Sequence, residues 1–134
     1  MGKLTEHFSE EEFACKCLRK GHALADGFCG GRVWTSPALV EKLEQLRAVF
    51  GASVTVNSGC RCAKYNRSVG GASDSQHVKG TAADITIKGI PHSKVAEAAE
   101  KIGFGGIGRY DSFTHVDVRK GKARWDERKG GGAA

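Results

Sequence analysis

The chain has 134 residues, 40% of them hydrophobic, which suffices for one modest core and argues against two domains. Its 21 Lys and Arg against 15 Asp and Glu leave a formal charge of +6, much of it in Arg119, Lys120, Lys122, Arg124, Arg128 and Lys129. A basic tail of this kind can hold a protein near an anionic polymer, but no basic run is interleaved with aromatics, so nucleic-acid binding is not expected.

Met1 to His7 lead into an acidic segment without an apolar core, and no run is long enough to cross a bilayer. The expectation is therefore synthesis in the cytoplasm without a signal peptide, and no membrane span. Ser9 followed by Glu12 is a capping-box signature that predicts a short helix from about Glu10, ending before the Cys15 segment. Cys15 to Trp34, rich in Gly and Cys, reads as loop. Ser36 then caps a helix with Pro37 at its first position; Leu39, Leu43, Leu46 and Phe50 form its buried stripe, and Gly51 stops it. Ser53 to Val56 reads as a strand entering a turn at Ser58-Gly59-Cys60-Arg61. Helices are predicted over Ala63 to Val69 and from a Ser93 cap to about Ile102. Strands around Ile85, Ile107 and Val116, interleaved with these helices, predict an α+β fold: a small antiparallel or mixed sheet with helices on one side. One domain over residues 1–129 and a flexible Gly/Ala tail over 130–134 are expected.

The chemistry concentrates in Ser75-Gln76-His77-Val78-Lys79-Gly80-Thr81-Ala82-Ala83-Asp84 and, downstream, in His115-Val116-Asp117. Two imidazoles and a carboxylate are ligands of the kind that hold a catalytic zinc while leaving its fourth position open to water. Gly80 allows a tight turn after His77, and Ala83 to Ile87 alternate as a half-buried strand does. In Thr114 to Arg119 the period of two puts His115, Asp117 and Arg119 on one face and Val116 and Val118 on the other. The valines are expected in the core and the polar face in a cleft.

Ser58-Gly59-Cys60-Arg61, Asn66, Val69-Gly70-Gly71-Ala72, Ser75-Gln76-His77, Gly80, Ala82-Ala83-Asp84, Gly105-Gly106-Ile107-Gly108-Arg109-Tyr110, His115-Val116-Asp117 and Arg124-Trp125 give the chain a family likeness. From about Leu4 to Trp125 it resembles the zinc D-alanyl-D-alanine carboxypeptidases and the related phage and bacterial L-alanyl-D-glutamate endopeptidases. The resemblance implies a hedgehog/DD-peptidase-like fold, a Zn2+ ion on His77, Asp84 and His115, and a peptidoglycan stem peptide as substrate. It implies that Arg61 steadies the substrate or its oxyanion. Ser75 and Gln76 are further candidates for substrate binding, and Tyr110 and Trp125 either wall the cleft with them or, as aromatics in a small protein more often do, belong to the core. A monomer acting at the cell wall, as in host lysis or from a virion, is the corresponding expectation. Members of that family place an acid three residues before the last zinc ligand, where this chain has Ser112. The proton-accepting carboxylate then falls to Asp117, roughly 7 Å along the strand from His115, or to Asp111 in the preceding loop. Asp117 has an equal alternative as a support that orients a ligand imidazole, and Arg61 has one as the partner of a core carboxylate. Without a catalytic carboxylate, the scaffold would serve as a zinc-containing wall-binding or phage tail module.

Cys15, Cys17, Cys29, Cys60 and Cys62 fall into two clusters. Four of them could close a structural zinc site tying the N-terminal loop to the Arg61 turn; disulfides and free thiols compete with that reading.

Overall fold

The computed structural model describes residues 2–17, 27–71 and 75–128. Its elements, in chain order, are α1 (Glu10–Phe13), α2 (Pro37–Phe50), β1 (Val54–Ser58), α3 (Ala63–Ser68), α4 (Gln76–Lys79), β2 (Ala82–Ile87), α5 (His92–Ile102), β3 (Gly106–Arg109), β4 (Thr114–Asp117) and β5 (Ala123–Asp126). The five strands form one sheet in the order β1-β2-β4-β3-β5, antiparallel throughout except for the parallel pair of β3 and β5. The expected α+β class with a mixed sheet is what the chain adopts. The tail expected at 130–134 lies outside the described residues.

Local signals explain the elements. The Glu12 carboxylate accepts the Ser9 backbone N–H at 2.7 Å, which starts α1. Pro37 opens α2, whose Leu39, Val40, Leu43 and Leu46 are buried, with Phe50 partly so, and which ends at Gly51. Helix α5 begins two residues earlier than the Ser93 cap predicts, after Pro91, because proline's fixed φ already suits the entry to a helix. Its Val95, Ala96, Ala98 and Ala99 meet α2 and the sheet. Phe8, Phe13, Phe104, Ile85, Ile107 and Val116 complete this core. Burying such side chains stabilises by about 1.5–3 kcal/mol each.

Alternation assigns one sheet face to the core and the other to chemistry. Ala83 and Ile85 on β2 and Val116 on β4 point into the core, so Asp84 and His115 between them must point to the opposite face. Among the described residues no helix is long and apolar enough to cross a membrane.

Candidate metal centre and cleft

Sheet register assembles the site. Asp84 pairs with His115, His115 with Gly108 and Gly108 with Trp125, while a register shift after Val56 brings Ser58 opposite Asp84. One row of five strand positions therefore crosses the whole sheet on the polar face. His77 joins it from α4, where Ser75 Oγ accepts the His77 N–H at 3.1 Å.

The two imidazoles are oriented from behind. His77 Nδ1 lies 2.7 Å from the Gly59 carbonyl oxygen, which can only accept, so Nδ1 carries a proton and Nε2 is turned to Asp84 Oδ1 at 3.2 Å. His115 Nε2 lies 2.8 Å from Asp117 Oδ2, and its Nδ1 faces the same Asp84 oxygen at 3.0 Å. Ligand atoms of His77, Asp84 and His115 all lie within 4.8 Å of one another, and all three residues are buried. Two ring nitrogens converging on one carboxylate oxygen are placed to share a cation with it. Burial pushes the Asp84 carboxyl up, but hydrogen bonds from His115 and His77 outweigh it and hold the carboxyl well below the usual range. For His115, burial lowers the ring's pKa, and the bonds to Asp117 and Asp84 more than reverse this. Two nitrogens and one oxygen, each with its far side hydrogen-bonded, form a donor set that fits zinc.

Arg61 and Asp117 support this centre. Arg61 donates to Asp84 Oδ2 at 3.3 Å, to Ser58 Oγ at 3.1 Å and to Asn66 Oδ1 at 3.1 Å, so it does pair a buried carboxylate while also lining the cleft. Asp117 shares the strand face with His115, as alternation requires, yet it is fully buried and does not line the cleft. Arg119 folds back to donate to its Oδ1 from Nε at 2.9 Å and to its Oδ2 from Nη2 at 2.8 Å. A Cβ at Gly106, its partner on β3, would stand 2.2 Å from Asp117 Oδ2, so only glycine leaves room for this carboxylate.

The cleft above the centre has a volume of ≈ 580 Å³. Ser75, Gln76, Tyr110 and Trp125 line it, as do Lys79, Phe113 and Arg119, which the residue pattern did not single out as substrate contacts. Tyr110 stacks on Phe113 at 4.3 Å between ring centroids, and its hydroxyl oxygen accepts the Trp125 Nε1–H at 2.8 Å. The Tyr110 O–H proton is thereby left to donate elsewhere. Trp125 lies tilted against His115, 4.9 Å between centroids, over the space that Gly108 leaves empty. Asp111 is exposed and does not line the cleft. Among the described lining residues, Asp84 is the sole carboxylate.

A mixed sheet presents two imidazoles and a carboxylate that could hold a metal ion at the floor of an open cleft. Residues 6–117 match the Peptidase M15 family, and the chain belongs to it. It is 37% identical over 92 residues to the probable peptidoglycan L,D-endopeptidase MepK of Haemophilus influenzae, covering 61% of this chain and 50% of that protein. The peptidoglycan L,D-endopeptidase MepK of Escherichia coli K12 is 37% identical over 91 residues, with the same coverage of 61% and 50%. The zinc D-Ala-D-Ala carboxypeptidase of Streptomyces albus G is 37% identical over 81 residues, 56% of this chain and 32% of that protein. The chain spans about half the length, or less, of the curated relatives it matches.

Proposed function

We propose that this chain is a zinc-dependent peptidase that hydrolyses peptide bonds in peptidoglycan stem peptides at the cell wall. The observation that carries the reading is the buried His77–Asp84–His115 cluster at the floor of an open cleft, in a chain of the Peptidase M15 family. Zinc held by these residues supplies Lewis acidity that polarises a carbonyl and makes water nucleophilic near neutral pH. Cleft composition supports the substrate class: Arg61, Lys79 and Arg119 face a space with one carboxylate, which suits a peptide bearing the free carboxylates of D-glutamate and terminal D-alanine.

The remaining residues act by position. Arg61 anchors Asp84 with one of its five donors, and two of the five are unused in the contacts above, available to a substrate carbonyl or carboxylate. Tyr110, its oxygen already accepting from Trp125, donates its proton to the oxygen on which charge develops. Trp125 and Phe113 form an apolar wall that excludes water from one side. Asp117 is a positioning residue: it fixes the His115 ring through Nε2 and does not reach the reacting atoms.

A second reading has one specific observation in its favour. With Ser112 at the family acid's position and neither Asp117 nor Asp111 lining the cleft, the scaffold fits a wall-binding module that grips stem peptides without cutting them. Incubating zinc-loaded protein with peptidoglycan and identifying soluble products by mass spectrometry separates the readings. New peptide termini, abolished by chelator and restored by zinc, mark an endopeptidase. Free D-alanine alone marks a carboxypeptidase, and retention on peptidoglycan without any released fragment overturns the peptidase reading.

A further inference from the structure

A second cluster of metal-binding side chains lies away from the cleft. Cys15 and Cys17 follow α1, Cys29 lies in the Gly-rich segment after residue 27, and Cys62 ends the turn that carries Arg61. We propose that Cys15, Cys17, Cys29 and Cys62 form a closed tetrathiolate site that takes a structural zinc ion.

Geometry supports it first. The four sulfurs all lie within 4.8 Å of one another, with Cys15 Sγ 3.8 Å from Cys62 Sγ and Cys17 Sγ 3.7 Å from Cys29 Sγ. A tetrahedron with zinc–sulfur bonds of about 2.3 Å has edges of about 3.8 Å. The observed separations are those of ligands around an ion and far exceed the roughly 2 Å of a covalent sulfur–sulfur bond.

Proximity separates these four from Cys60, and hydrogen bonding distinguishes three of them. Cys15 Sγ accepts the Cys62 backbone N–H at 3.3 Å, the Cys17 sulfur meets the backbone N–H groups of Gly31 and Gly30, and the Cys29 sulfur meets those of Arg32 and Gly31. Donors directed at sulfur favour the thiolate, because each offsets part of its negative charge. Cys60 is placed differently. Its sulfur accepts the Trp34 N–H at 3.5 Å and meets the Cys15 N–H, but it also lies 3.1 Å from the Phe13 carbonyl oxygen and 3.6 Å from that of Arg32, which can only accept, so it donates its proton there. A buried thiol facing acceptors keeps its hydrogen and packs as a small apolar group. On zinc binding the four ligand thiols release their protons to solvent and form four zinc–sulfur bonds.

The site would also hold the cleft together. The Phe13 carbonyl accepts the Cys60 N–H at 2.9 Å, and a Cβ on Gly59 would stand 2.6 Å from Phe13 Cα, so the N-terminal segment is pressed against the Gly59–Cys62 turn. That turn supplies the carbonyl that orients His77 and the guanidinium that anchors Asp84. An ion joining Cys62 to Cys15 and Cys17 fixes it in place.

Cobalt loading of the full, otherwise unaltered chain tests the site, because sulfur-to-cobalt charge-transfer absorption in the near ultraviolet arises from a thiolate site and not from His and Asp ligands. The absorption should appear in the unaltered chain, persist in Cys60→Ser and vanish in Cys62→Ser. Since Cys62→Ser could also disturb folding, alkylation of the unaltered zinc-loaded protein after denaturation in chelator gives an independent measure. All five cysteines should be labelled. Labelling of one cysteine, with an intact mass four hydrogens light, would mean two disulfides and overturn the site. So would the absence of charge transfer, or its loss in Cys60→Ser.

Discussion

The two metal-type clusters of this chain are built in opposite ways. Asp84 and His115 face each other on neighbouring strands in the middle of a five-stranded sheet, where the hydrogen-bonded ladder fixes their spacing. The four cysteines belong to irregular segments and a turn, and little regular structure holds them together. Ligands on a sheet are positioned by the fold, whereas ligands on loops need the ion as a cross-link. Metal at the first centre should therefore matter for chemistry, and metal at the second for stability.

The largest expected effect lies at the sheet centre. His77→Ala and His115→Ala should each reduce hydrolysis of peptidoglycan to background and remove the zinc of that centre, while moving the thermal midpoint by less than about 5 °C. Zinc analysis with the cysteine-bound metal counted separately, together with thermal melting, checks both halves. Cys17→Ser should reverse the pattern, lowering the midpoint by about 10 °C or more through loss of several kcal/mol of metal-linked folding energy. If the histidine variants melt early and the cysteine variant does not, the comparison fails.

The contrast also decided what the sequence could reveal. Asp84 and His115 sit in alternating apolar and polar runs, so their strands, their shared face and the inward direction of Val116 follow from a period of two. Cys15, Cys17, Cys29 and Cys62 obey no period, and which four of five cysteines converge depends on tertiary proximity that spacing does not encode. Strand β5 escaped prediction because Ala123-Arg124-Trp125-Asp126 lies at the sheet edge in a highly charged stretch, and α4 is only four residues long. Asp117 shows the limit of alternation more sharply. Pattern put it on the face of His115, but its depth depends on Arg119 folding back over it and on Gly106 leaving room beneath it.

Two intermediate effects separate positioning from direct contact within the cleft. Asp117→Asn should lower zinc affinity about 10–100-fold, with activity falling in step, because the His115 ring loses its anionic partner. Activity lost at unchanged zinc affinity would instead make Asp117 a proton acceptor. Tyr110→Phe should leave zinc binding intact and lower kcat by about 100–1,000-fold, as expected on losing one donor to a developing oxyanion. A rise in KM at constant kcat would restrict Tyr110 to ground-state binding.

The smallest effect tests whether the cysteine site is the main tie of the N-terminal segment. Glu44 on α2 accepts the His7 backbone N–H at 2.7 Å and faces the His7 ring nitrogen at 2.7 Å, a second link between that segment and the core. Burial raises the Glu44 pKa, but the Thr5 hydroxyl and the His7 hydrogen bonds and charge together outweigh it and hold the carboxyl below its ordinary value. A depressed carboxyl pKa stabilises the fold above the unfolded value and loses that contribution as pH falls through the folded one. Glu44→Gln should accordingly cost less than about 1 kcal/mol near neutral pH, since the pair is partly exposed and screened. Denaturant unfolding of both proteins should show the gap closing below about pH 4. A Glu44→Gln penalty as large as that of Cys17→Ser would mean that side-chain contacts with α2, rather than a metal cross-link, hold the N-terminal segment to the fold.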